Sequence, residues 1–428
     1  MGFAITNRPL RFCMITTFYP PYNFGGDGIF VHRLSNELAK RGHHVDVIHC
    51  VDAYNLLSGR KNRREYDDHP NVRVHGLKSG FGFLSPLATH QTGIPLFKSA
   101  HIKKILDKDF DVIHYHNISL VGGPKIMEYG RSIKLYTMHE YWLICPTHLL
   151  LKFNRVPCNR ENCLLCLFKH KRPAQWWRHT ALIQRAVRHV DAFIHLTNFS
   201  RDIHRQKGLE LPFFHLPFFL GDGNGEPSSS HAQQEIHSNE HPYFLFVGRL
   251  EKLKGLHTLI PVFRRYRKAN LLVAGEGSYG SYVRKLAKDC PNIVFLNWLP
   301  YDRLEGLYRG AVALIVPSLY YDISPLVIIE ALRHKIPVIA KNLGGMPEIV
   351  AESRGGFLYD TEEDLIAVMD QLLANPSHRE NLGQRGYETY KQKWTVEAHL
   401  RGYFSIIKHI ALQRGFPLIP SPEIKGTK

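Results

Sequence analysis

Two acids, Asp322 and Glu330, bracket a proline in Tyr320-Tyr321-Asp322-Ile323-Ser324-Pro325-Leu326-Val327-Ile328-Ile329-Glu330-Ala331-Leu332. The apolar run 313–316 just before it reads as a buried strand. Pro325 falls where a first helical turn would begin, a position at which a missing N–H costs little. Asp322 then sits at the carboxyl end of a strand, and Glu330 more than a turn into the next helix. In an open parallel sheet that crevice is where ligands bind. Free N–H groups at the helix start suit a phosphate, and carboxylates that accept hydrogen bonds from hydroxyls suit a sugar. A sugar nucleotide presents both. An Asp322 that merely caps the helix is the structural alternative.

Two cations stand at a second candidate strand end. In Phe246-Val247-Gly248-Arg249-Leu250-Glu251-Lys252-Leu253-Lys254-Gly255, Arg249 can grip phosphate oxygens through two N–H groups, while Lys254 acts as a point charge. Such a pair is often surface decoration; at a strand's carboxyl end, alongside the acid motif, it becomes a diphosphate clamp. Gly25-Gly26 separate the first strand from the first helix, where glycine lets the backbone approach a ligand. Gly275-Glu276-Gly277-Ser278-Tyr279-Gly280 fits the dinucleotide fingerprint, but the acid required some 20 residues on is missing at the next strand end. These glycines read as a tight turn.

The elements that must hold these residues alternate between short β-rich runs and amphipathic segments, the pattern of βαβ units around parallel sheets. Strands are predicted at 11–17, 45–49, 112–116, 135–138 and 192–196, with a helix ending near Gly42. A second series follows at 243–247, 271–274, 293–296, 313–316 and 338–340. Its helices are predicted at 256–267, 279–288, 302–309, 325–334 and 362–374, and helical periodicity returns at 399–412. The polar, Gly- and Ser-rich stretch 221–241 cannot bury a core and reads as the linker. The domains are thus 1–218, a linker 219–241, 242–394, and a tail 395–428 expected to cross back to the first domain. Two such α/β domains put a cleft between them, the default active site.

At 428 residues, 44% hydrophobic and 22% charged, the composition is that of a globular protein of two domains. No run of about 18 apolar residues appears and no signal peptide is evident, so a cytoplasmic protein is expected, at most peripheral to a membrane. The net charge is +17. Residues 152–188 carry nine Lys/Arg against the single acid Glu161, with Phe168, Trp176 and Trp177 interleaved. This stretch suits an anionic lipid surface, or it is a solvated basic face. No recognition motif supports nucleic acid.

Cys13, Cys50 and Cys290 lie in or beside apolar segments and read as inert. Cys145, Cys158, Cys163 and Cys166 crowd into a basic insertion at about 143–178. Four thiolates at this spacing suit a structural zinc or an iron–sulfur cluster, with free thiols as the alternative.

Together these motifs resemble the retaining glycosyltransferases of family 4, which have the GT-B fold. The resemblance is carried by Gly25-Gly26, Gly248-Arg249-Leu250 with Lys254-Gly255, and Asp322 through Pro325-Leu326 to Glu330-Ala331. Val273-Ala274-Gly275-Glu276-Gly277, Leu299-Pro300, Pro337-Val338-Ile339-Ala340 and Gly344-Gly345-Met346-Pro347-Glu348-Ile349-Val350 add to it. It spans about residues 10 to 400. The resemblance implies two Rossmann-like domains, the acceptor mainly on the first and the nucleotide-sugar donor on the second. It assigns the diphosphate to Arg249 and Lys254, the ribose to Glu330, and the phosphates to the backbone of Gly25 and Gly26. Leu299, Ser324, Pro325, Leu326 and Val327 would line the donor site, and Asp322 would meet the sugar. His139, in Met138-His139-Glu140-Tyr141-Trp142, would lie near the reacting carbon. No catalytic metal or general base is implied. The family usually has Glu where this chain has Asp322, one methylene shorter. The acceptor would be a glycan, a lipid-linked sugar or a small molecule. A nucleotide-sugar epimerase and a non-catalytic nucleotide or glycan binder are the other readings.

Overall fold

The computed structural model describes residues 8–58, 66–153, 155–158, 162–221 and 241–416. The predicted linker therefore lies almost wholly outside the described residues.

Each domain is built on one parallel sheet. In the first the strands lie in the order Val72–Leu77, His44–Cys50, Arg11–Ile15, Val112–Tyr115, Ile133–Thr137, Ala192–His195, Phe213–His215. In the second the order is Ile293–Asn297, Asn270–Ala274, Tyr243–Val247, Leu314–Val316, Val338–Lys341, Gly356–Tyr359. Both begin 3-2-1-4-5 in their own chain order, so each has a topological switch beside its first strand. The central strands are apolar on both faces because helices cover both. Phe12, Met14, Leu245 and Leu314 are wholly buried.

The predicted central strands and the second-domain helices all appear, with ends shifted by a few residues. Pro325 lies just outside its helix, which runs Leu326–Arg333. Within the two parallel sheets three strands come in addition: Val72–Leu77, Phe213–His215 and Gly356–Tyr359. All three are sheet edges, and so lack the continuous apolar run of a central strand. Helices Asn198–Gln206, Met346–Ser353 and Pro376–Lys393 are further additions.

The last helix, Val396–Arg414, packs on the first domain. Its Tyr403 hydroxyl is 3.0 Å from His114 Nδ1, and Arg414 pairs with Asp191 at 2.9 Å. A second contact joins the domains near the cleft. Glu348 accepts hydrogen bonds from the Asn198 N–H at 2.8 Å and the Phe199 N–H at 3.1 Å. A carboxylate of one domain thus satisfies free N–H groups at a helix start of the other. The insertion holds the hairpin Leu151–Lys152/Val156–Pro157 and the helix Cys163–Lys169.

Candidate active site

The second domain brings its cation and its acid together. Lys254 ends a short 3-10 turn, Lys252–Lys254, directly before helix Leu256–Arg265. Its Nζ lies 2.6 Å from Asp322 Oδ2 and 3.1 Å from the Tyr320 hydroxyl. Burial alone would lower its pKa, but the Asp322 carboxylate and Tyr320 outweigh that and raise it. Lys254 is therefore charged at neutral pH. Ser318 Oγ donates a further 3.4 Å bond to the same Asp322 oxygen. Asp322 is thus a partner of Lys254, not a helix cap. The cap position belongs to Pro325, without a side-chain hydrogen bond.

Glycines make this closeness feasible. Gly255, at φ +75°, passes Pro317 so tightly that a Cβ would stand 1.9 Å from the Pro317 carbonyl oxygen. Gly344, at φ +68°, lies against the Asp322 backbone, with 2.7 Å from a Cβ to the Asp322 oxygen. The Gly275 turn does related work: a Cβ there would be 1.9 Å from the Gly248 oxygen. Those glycines pack one strand-to-helix loop against another.

Arg249 follows strand Tyr243–Val247, is exposed, and makes no ion pair with a described residue. Glu330 is partly buried in helix Leu326–Arg333 and accepts a 2.9 Å hydrogen bond from the Tyr308 hydroxyl. Burial raises its pKa, against the pull of Arg33 from the first domain. Ser324 and Pro325 are buried, whereas Leu326, Val327 and Leu299 are half-buried.

The first domain faces this group. Gly25 starts helix Gly26–Lys40 in extended conformation without a side-chain cap. A Cβ on Gly26 would be 3.6 Å from Leu326 Cδ1, so two helix starts without side-chain caps meet across the cleft. Their N–H groups and helix dipoles suit an anion approached from both sides. Tyr141, just beyond His139, is buried with no partner for its hydroxyl. Burial raises its pKa, and the Asp322 carboxylate adds to that.

His139 lies two residues past strand Ile133–Thr137, with Nε2 2.8 Å from His116 Nδ1. Its ring stacks on Phe218, with centroids 5.4 Å apart. Burial pushes His139 down to about 4, against a smaller upward pull from Asp27. Burial lowers His116 as well, with His114 next. Both rings are neutral near pH 7, so one nitrogen of the contact donates and the other accepts. His139 Nδ1 is buried without a partner. A neutral imidazole so held can bind a hydroxyl or carbonyl oxygen.

The sequence reading missed His116 and Tyr320. The signal for His116 was present, since His114 and His116 alternate at the end of a strand and so share a face. Tyr320 stands in the quoted motif, but nothing local marks it as a partner of Lys254.

None of the four insertion cysteines is joined in a disulfide. Cys145 is buried, Cys158 and Cys166 are partly buried, and Cys163 is exposed. Among the described residues no three His, Cys, Asp or Glu side chains converge as a metal site would require. No described helix is long and apolar enough to cross a membrane.

Two family models match the chain: "Glycosyltransferase Family 4" over residues 24–211 and "Glycosyl transferases group 1" over residues 228–389. An uncharacterized glycosyltransferase of Methanocaldococcus jannaschii is 32% identical, over 89% of this chain and 94% of that protein. The alpha-maltose-1-phosphate synthase of Mycolicibacterium smegmatis is 24% identical over the same shares. Among solved structures, sucrose-phosphate synthase from Thermosynechococcus elongatus superposes with a TM-score of 0.67 at 20% identity, covering 95% of this chain and 97% of that one. Anabaena HepE in complex with UDP-glucose superposes at 0.63 and 14% identity, covering 95% and 99%. These likenesses give the GT-B fold to the two facing domains.

Proposed function

The chain belongs to family 4 of the glycosyltransferases, and we propose that it moves a hexose from a nucleoside-diphosphate sugar to an acceptor with retention of configuration. The observation that carries this reading is the Lys254–Asp322 pair at 2.6 Å, opposite the Gly26 helix start. An incoming diphosphate would take over Lys254, with Arg249 and the two helix starts as further donors. Asp322, released from its lysine, would then accept hydrogen bonds from the sugar hydroxyls. Glu330 would hold the ribose, and His139 would meet the sugar near its reacting carbon.

Charge that develops on the departing diphosphate is thus met by fixed cations and N–H groups, the largest single source of rate in such sites. The acceptor would attack from the leaving-group face, with no dedicated general base. A UDP-sugar is favoured as donor because the HepE structure, of the same fold, holds UDP-glucose. The exposed Leu164, Leu165, Phe168 and Trp176 of the basic insertion support a lipid-linked acceptor at an anionic surface. Metal analysis of purified protein would test whether the four insertion cysteines gather around a structural metal.

The test is to incubate UDP-, GDP- and ADP-sugars with simple acceptors and read the anomeric configuration of the product by NMR. Transfer with retention supports the reading. Inverted product, or release of nucleotide without any transfer, contradicts it.

A further inference from the structure

We propose that a separate pocket on the first domain is a subsite for a neutral sugar ring of the acceptor. This rests on the transferase reading above. The cavity measures about 470 Å³, in the range of small-molecule sites. Its walls come from the carboxyl ends of three neighbouring strands, Arg11–Ile15, His44–Cys50 and Val72–Leu77, the place where open parallel sheets bind ligands. The residues that matter are Tyr22, His49, Asn55, Tyr66, Asp68 and Lys78.

His49 is a buried wall of the pocket. It is 2% exposed, and its Nδ1 is buried without a hydrogen-bond partner. Its Nε2 faces Gly76, another wall of the pocket: a Cβ there would be 3.1 Å away. Burial pushes the imidazole down to about 4, so near pH 7 it offers one donor and one acceptor.

The other groups define the ligand. Asp68 Oδ1 takes the Tyr19 hydroxyl at 2.6 Å and Asn36 Nδ2 at 3.2 Å, which leaves Oδ2 unclaimed by any described residue. Asn55 and Lys78 are exposed and make no hydrogen bond or ion pair with described residues. Tyr22 and Tyr66 supply flat apolar faces, and the Tyr22 ring lies 5.5 Å from that of His49. Mixed donors and acceptors beside aromatic faces fit a pyranose, which has hydroxyls on its edge and C–H groups on its face. The Asp68 carboxylate disfavours a phosphate or uronate at the same place. Residues 20–22, part of the pocket wall, stand a few residues before Gly25 and Gly26 at the cleft.

The experiment is saturation-transfer NMR with methyl α-glucoside, methyl α-galactoside, methyl α-mannoside, maltose and glucose 6-phosphate. It uses the full chain and the exposed-site variants Tyr66→Ala and Lys78→Ala. We expect at least one neutral sugar to bind and to weaken about tenfold in both variants, while the UDP-induced melting shift is unchanged. Absence of binding by every neutral sugar, equal binding in the variants, or preference for the phosphorylated sugar overturns the proposal. Loss of UDP protection in the unmodified chain, with sugar binding still sensitive to Tyr66 and Lys78, removes the donor reading alone.

Discussion

Lys254 is held by Asp322 in the cleft, and that pairing decides what its loss should do. Lys254→Ala removes the point charge proposed to meet the leaving group. Transfer should fall at least about 100-fold, the scale of losing one preorganised donor, with circular dichroism unchanged. Near-normal turnover would take that lysine out of the mechanism. On the proposed reading, His116 would act at one remove, by fixing the tautomer and tilt of His139. His116→Ala should lower kcat by roughly tenfold or more through misplacement, with the donor KM little altered, and His116→Asn should restore part of it. A merely structural role would instead lower the melting temperature and leave kcat in the folded fraction intact. At this scale the sequence exposed the chemistry but not the partners. Lys254 and Asp322 are 68 residues apart, and only the parallel order of their strands makes them neighbours.

The elements that present these residues depend on backbone closeness that few residue types permit. Gly255 combines φ +75° with a carbonyl 1.9 Å from where a Cβ would be. Gly255→Ala should cost about 2 kcal/mol or more in stability and weaken nucleotide binding, because the turn carrying Lys254 must shift. Denaturant melts with and without UDP would measure both. A silent substitution would mean that the turn is not strained. The helix that holds Glu330 is buttressed in the same way by helix Pro376–Lys393. There a Cβ on Gly383 would stand 1.9 Å from the Lys335 oxygen, and one on Gly386 2.5 Å from Leu332 Cδ2. Those glycines, in a strongly polar segment, are also why the supporting helix was not legible in advance. Central strands and second-domain helices were legible because two-sided burial leaves an unbroken apolar run. The edge strand Phe213–His215, three residues long, leaves none.

Across the whole molecule, burial sets the response to acid. His43, His49, His90, His139, His195, His204, His334 and His399 are each lowered to about 4 from 6.5. The unfolded chain therefore binds more protons than the native one between those values. Stability is full above about pH 6.5 and is lost as the pH falls towards 4. Thermal melts from pH 8 to 4.5 should show a steady fall in this window; a flat profile would mean that these histidines are solvated in solution. The Glu348 contact with Asn198 and Phe199 crosses the domains beside the cleft, so their relative setting is coupled to the site.

The central claim is that the second domain grips a nucleoside diphosphate through Arg249 and Lys254. The most direct measurement is the melting shift with UDP, GDP and ADP, on the unmodified chain and on Arg249→Ala and Lys254→Ala. A nucleotide at 100 times its dissociation constant should stabilise by about 2.7 kcal/mol. The account expects one nucleotide, UDP foremost, to protect the unmodified chain and to lose most of that protection in both variants. Protection by none, or protection that survives both substitutions, would contradict it.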